Sequence, residues 1–175
     1  MHDDSRTRGF SLIEVTIALL LLLTVVAGIV PMVSVAARAV RDARTQSIAA
    51  SLAVQKLEQL RALCWGFDAF GVAVTDVATN TSEAPFGATG PGLSPSPPNA
   101  LDNPSAGFAD YLDQWGRWLA SGPAQPPAAV FRRRWAVSAP PGAGAHTLLL
   151  EVVVEPVGRG RGVHLATVVT RKGLP

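Results

Sequence analysis

A carboxylate, Glu14, stands at the mouth of residues 15–37, a run of 23 uncharged residues where a plain membrane anchor would place Lys, Arg or Trp. Holding a charge at membrane depth costs on the order of 3 kcal/mol, so such a residue is a functional site in want of a partner. Four residues before it, Gly9-Phe10 closes a short head containing Asp3, Asp4, Arg6 and Arg8. The other reactive side chains are poorly placed for chemistry. His2, His146 and His164 are too scattered for a metal site, and no zinc spacing exists. Ser11 is not on a nucleophile elbow, and no Gly-rich phosphate loop precedes a helix. No catalytic constellation, metal or cofactor is therefore expected, and the chain is not expected to be an enzyme. The lone Cys64 rules out an intramolecular disulfide and reads as a small apolar residue near a helix end. Arg132, Arg133 and Arg134 could contact phosphates. On a strand they alternate, and a solvated strand edge protected by its charge is the preferred expectation, with no nucleic-acid binding.

The element that must position Glu14 is a helix. At about 1.5 Å per residue, the uncharged run spans roughly 35 Å, enough for a hydrocarbon core of about 30 Å. A secretory signal would have a shorter apolar core, although Ala37-Arg38-Ala39 offers a cleavage tripeptide. A simple single-pass anchor fits the run but leaves Glu14 unexplained. Pro31 removes one backbone bond inside the run, and Gly28 lowers the cost of bending, so a bend is expected at residues 28–31.

These residues resemble the type IV prepilins and the pseudopilins of type II secretion. The resemblance rests on Gly9 before Phe10, the Ser-Leu-Ile-Glu-Val continuation, Glu14 four residues beyond Phe10 and Pro31 deep in the apolar run, and it covers residues 1–61. It implies cleavage between Gly9 and Phe10 by a prepilin peptidase, N-methylation of Phe10, assembly through Glu14, and helix-to-helix packing in a filament. It also implies loosening of the helix at Gly28 and Pro31 on polymerisation. The run Leu-Ala-x-x-Lys-Leu-Glu-x-Leu-Arg at residues 52–61 is more like the minor members of the family than the major ones.

Beyond Arg38 the helix continues in a soluble register. Ala49, Leu52, Ala53, Leu57, Leu60 and Cys64 recur at intervals of three and four, and Gly66 suits the position just past a helix end near Trp65. A continuous helix over residues 11–63 would be roughly 80 Å long, more than a domain of this size can bury, so half must project. Residues 80–105 read as an extended loop, with Ser94-Pro95-Ser96-Pro97-Pro98 its least foldable part, and Asn80-Thr81-Ser82 fits a glycosylation sequon. Residues 108–119 fit either a short helix with Gly116 inside it or a hairpin turning at residues 113–116. The hairpin is preferred, because Asp at the first turn position and Gly at the left-handed one suit it. Residues 130–138, 147–155 and 163–170 alternate or are β-branched, and turn-rich spacers between them favour antiparallel neighbours. Leu148, Leu150, Val152 and Val154 should lie on the helical stripe.

The expected fold is α+β, one long helix packed on a small antiparallel sheet. Its parts are a leader at 1–9, a membrane or filament-core half-helix at 10–37, an amphipathic half at 38–65 and a β head at 66–175. Charge alternates in blocks: five basic and two acidic residues at 38–63, one basic and six acidic at 68–130, seven basic and two acidic at 131–175. Such blocks suit subunits that dock on one another. The expected function is that of a minor pilin or pseudopilin, with a membrane-anchored adhesive or nucleic-acid-binding display module as the alternative. Assembly needs Glu14 and a free Phe10 amine, whereas display needs only the apolar run. The partners implied are prepilin peptidase, other pilin or pseudopilin subunits, an inner-membrane assembly platform and lipid. The N-terminus should be cytoplasmic and the head periplasmic or on a surface pilus, although Arg38, Arg41 and Arg44 oppose the positive-inside bias of Arg6 and Arg8.

Overall fold

A computed structural model describes residues 9–82, 89–140, 142, 146–158 and 160–172. The leader residues 1–8 lie outside that set. The chain divides into two units, Met1–Ala43 and Arg44–Pro175. Helix α1, Leu12–Ala62, contributes to both.

In the first unit, described from Gly9 onward, every residue from 9 to 36 is exposed, including the Leu19, Leu20, Leu21, Leu22 and Leu23 run. So large an apolar surface cannot rest in water. Helical assignment passes unbroken through Gly28 and Pro31. Thr16 donates its hydroxyl to the Leu12 carbonyl (2.9 Å), Thr24 to Leu21 (2.8 Å) and Ser34 to Pro31 (2.7 Å), so these polar groups are satisfied without water.

In the second unit α1 closes through a 3-10 turn, Leu63–Trp65. Its predicted stripe is buried at Ala49, Leu52, Ala53, Leu60 and Cys64, with Leu57 partly buried. Gly66 does stand just past the helical residues, but its φ of −69° and ψ of 166° are extended rather than left-handed. Glycine is needed there for another reason: a Cβ would lie 3.0 Å from the Val74 carbonyl oxygen. That approach pairs β1 (Gly66–Phe67) with β2 (Ala73–Val74).

The main sheet holds β3 (Ala109–Leu112), β4 (Trp118–Ser121), β5 (Phe131–Ser138), β6 (Thr147–Pro156) and β7 (Val163–Thr170), in the order β4-β3-β5-β6-β7, with every neighbour antiparallel. The α+β expectation holds. Leu148, Leu150, Val152 and Val154 on β6 share one core with the α1 stripe, together with Phe131, Trp135 and Val137 on β5. The hairpin reading of residues 108–119 also holds. Gly116 has φ +77°, its amide donates to the Asp113 carbonyl (3.1 Å), and Asp113 Oδ1 accepts from the amides of Trp115 (2.8 Å) and Arg117 (2.9 Å).

One expectation is corrected and another, the loop at 80–105, is refined. β5 is the middle strand, not an edge, and Arg133 and Arg134 are only 7% and 4% exposed. Each is paired, as described below, so charge here serves interior ion pairs rather than a solvated rim. The Ser94–Pro98 stretch carries no helix or strand but is pinned. Ser96 donates its amide to the Val137 carbonyl (2.9 Å), and Leu93 and Ala100 are buried in the core. Proline removes donors there without preventing the loop from covering the sheet. The sequon is tucked inward: Thr81 and Ser82 are buried, and Asn80 Oδ1 accepts from the Ser82 amide (3.0 Å) and hydroxyl (2.8 Å).

Candidate functional site

The motif residues lie at the start of α1. Gly9 and Phe10 precede the helix, both exposed, and a Cβ at Gly9 would meet nothing within 4 Å. The peptide between them is therefore approachable by another protein. Glu14 occupies the first helical turn, where the unpaired amides of the helix end favour a negative charge. Its side chain is exposed and makes no ion pair or hydrogen bond among the described residues. A carboxylate on an otherwise apolar exposed surface, with no partner within its own described chain, is poised for an external cation. Gly28 and Pro31 lie further along the same exposed surface, and a Cβ at Gly28 would also meet open space.

Inside the second unit the structure assembles a charged cluster that the sequence reading missed. Lys56 is 0% exposed on the α1 stripe. Its ammonium lies 3.6 Å from Asp110 Oδ2 on β3, 3.7 Å from the centre of the Trp135 ring on β5, and donates to the Thr81 carbonyl. Arg133, opposite Asp110 in the β3–β5 register, grips the same carboxylate with Nε to Oδ1 at 2.9 Å and Nη2 to Oδ2 at 2.8 Å. Its Nη1 donates to the Leu52 carbonyl at 3.4 Å. Two cations thus share one buried carboxylate. Arg133 holds it bidentately, and burial pushes the Lys56 pKa down to about 7, only partly opposed by Asp110. The helical spacing held the missing signal, since Lys56 falls between Ala53 and Leu60 at the stripe's own intervals.

On the opposite face of β5, Arg132 and Arg134 both reach Glu155 Oε2, at 2.9 Å and 2.6 Å, and Arg134 also donates to the Asp102 carbonyl. The predicted alternation of the three arginines is thus present, with all three engaged. The geometry of both clusters ties elements together. Cys64 is buried and free, and burial raises its thiol pKa. Among the described residues, no group of three His, Cys, Asp or Glu side chains could hold a metal ion.

Comparison with known proteins bears on the head of the chain. Residues 4–30 match the family model described as the prokaryotic N-terminal methylation motif, which spans Gly9, Phe10, Glu14 and Gly28. No curated protein and no solved structure gave a significant match. The chain is thus type IV prepilin-like at its head, with one helix long and apolar enough to cross a membrane, followed by a small antiparallel sheet.

Proposed function

We propose that this chain is a minor pilin or pseudopilin, a non-enzymatic structural subunit. It is cleaved between Gly9 and Phe10 by a prepilin peptidase, N-methylated at Phe10, and built into, or used to prime, a type IV pilus or type II secretion pseudopilus. The observation that carries this reading is the coincidence of the methylation motif with a Glu14 that has no ion pair among the described residues and stands on an exposed apolar helix. Before assembly the helix spans the inner membrane with residues 1–9 cytoplasmic and the head periplasmic.

Cleavage creates a cation at the Phe10 amine, and methylation retains its charge. That ammonium, donated by a neighbouring subunit, is the partner Glu14 lacks. Pairing in a low-dielectric setting would hold two helices at one axial offset, because each charge meets its partner at a single register. Loosening at Gly28 and Pro31 would let the packed helices adjust, since Pro31 already lacks the amide that would reach the Ala27 carbonyl.

The pairing of Arg132, Arg133 and Arg134 with carboxylates of the head argues against the nucleic-acid display module. Intact-mass measurement of protein purified from its producing cell tests the proposal. Phe10 with one added methyl is the expected N-terminus, whereas a start at Met1, or just after Ala39, overturns it.

A further inference from the structure

Beside the β3–β4 turn lies a groove of about 420 Å³, lined by Arg44, Ile48, Trp115, Val130 and Phe131 among others. Its lining combines an exposed indole, aliphatic side chains and an arginine. Trp115 is 70% exposed at the tip of a rigid turn, held by the Asp113 hydrogen bonds, and the Arg117 guanidinium lies 5.4 Å from the centre of its ring. Val130 is 38% exposed, and Ile48 is partly buried. Arg44, also in the lining, is exposed to solvent.

We propose that this groove binds the headgroup region of anionic phospholipid, with Trp115 entering the interface and Arg44 and Arg117 contacting phosphates. The chemistry of the lining and of its charges selects this occupant. Indole pairs an apolar body with one N–H donor and is enriched where membrane meets water. The charge nearest the ring is cationic, while the turn's own carboxylate, Asp113, is occupied by two backbone amides, and Asp42 is the other acidic residue close by in the chain. A patch led by two arginines repels a second copy of itself and attracts an anionic surface.

The inference rests on α1 lying in a bilayer, so its test reads anchoring and docking separately. The full chain is reconstituted into vesicles of phosphatidylglycerol or phosphatidylcholine containing lipids brominated near the glycerol, which quench nearby tryptophans. Flotation of the vesicles reports anchoring, and quenching reports docking. Expected are flotation in both lipids, stronger quenching in phosphatidylglycerol, loss of that quenching in Trp115→Phe and its reduction in Arg44→Gln/Arg117→Gln. Trp65→Phe should retain it. Floating protein whose quenching is absent, equal in the two lipids or unchanged in Trp115→Phe overturns the headgroup site while leaving the anchor intact. Protection of Trp115 that instead grows with the protein-to-lipid ratio assigns the groove to a second copy and also overturns it. Protein that fails to float overturns both readings. Because Trp115 is largely exposed, its replacement should leave the circular dichroism spectrum unchanged.

Discussion

At the scale of single residues, the second unit is governed by the balance of two cations against Asp110. Removing the carboxylate leaves Lys56 and Arg133 buried without a counter-charge, so Asp110→Ala should destabilise by about 3–5 kcal/mol. Lys56→Met should cost far less or stabilise, because the bidentate Arg133–Asp110 pair survives and an apolar chain of similar length fills the site. Lys56 also sets a pH dependence. Its pKa is about 7 when folded, below the roughly 10.4 of an unfolded lysine. Between those values the unfolded chain binds the additional proton, so stability rises with pH from about 7 to about 10, by up to about 1.4 kcal/mol per pH unit. Below pH 7 the penalty of the buried charge is constant. Thermal melts of the detergent-solubilised chain at pH 6, 7, 8 and 9 should show the rise above pH 7 in the parent and a flatter profile in Lys56→Met. Equal slopes would mean that Lys56 stays charged throughout.

At the scale of elements, the β3–β4 turn offers the sharpest check on why a glycine is present. Gly116 combines a φ of +77° with a site where a Cβ would come within 2.9 Å of Leu52 Cδ2. Gly116→Val should therefore destabilise by about 1 kcal/mol or more, from the left-handed backbone and from displacement of a core leucine. Were residues 108–119 helical, the same change would be mildly favourable. A lowered midpoint in the same melts is the expected result, and a raised one would contradict the turn geometry. The central strand, β5, carries ion pairs on both faces, buried at Arg133–Asp110 and partly exposed at Arg132–Glu155, so replacing Arg133 disturbs the core rather than a rim.

At the scale of the whole molecule, the exposed apolar helix and the folded head meet different solvents, and Glu14 is the residue that pays for life in the first. Glu14→Ala removes a costly charge, so insertion and cleavage after Gly9 should proceed as before or more readily. On the proposed pairing, incorporation into the filament or its initiating complex should fall, because a neighbouring Phe10 amine would lose its partner. Co-purification with other pilin subunits, measured beside the N-terminal mass, separates these effects. Normal assembly by the Ala variant would leave Glu14 without a role. Proteolysis of spheroplasts provides the matching check on orientation, with digestion of the head expected.

Local pattern determined much of this protein. The uncharged run, the Gly9, Phe10 and Glu14 constellation, the three-and-four stripe and the alternating strands were legible because each is set by backbone period and near neighbours. The hairpin at 113–116 was legible for the same reason, since Asp and Gly there satisfy turn geometry locally. Strand order was not, and it decided the fate of Arg132, Arg133 and Arg134. Alternation reveals which side chains share a face, but only the folded chain brings α1 to Arg133 on one face of β5 and brings Glu155 and the Asp102 carbonyl to Arg134 on the other. Lys56 is the same case on the helix. Its spacing marks the buried side, yet a lysine can be buried only where Asp110, the Trp135 ring and the Thr81 carbonyl converge, and those lie far apart in the chain. Desolvation is a property of the assembled interior, so only the tertiary structure could turn that charge from an apparent surface residue into the centre of the core.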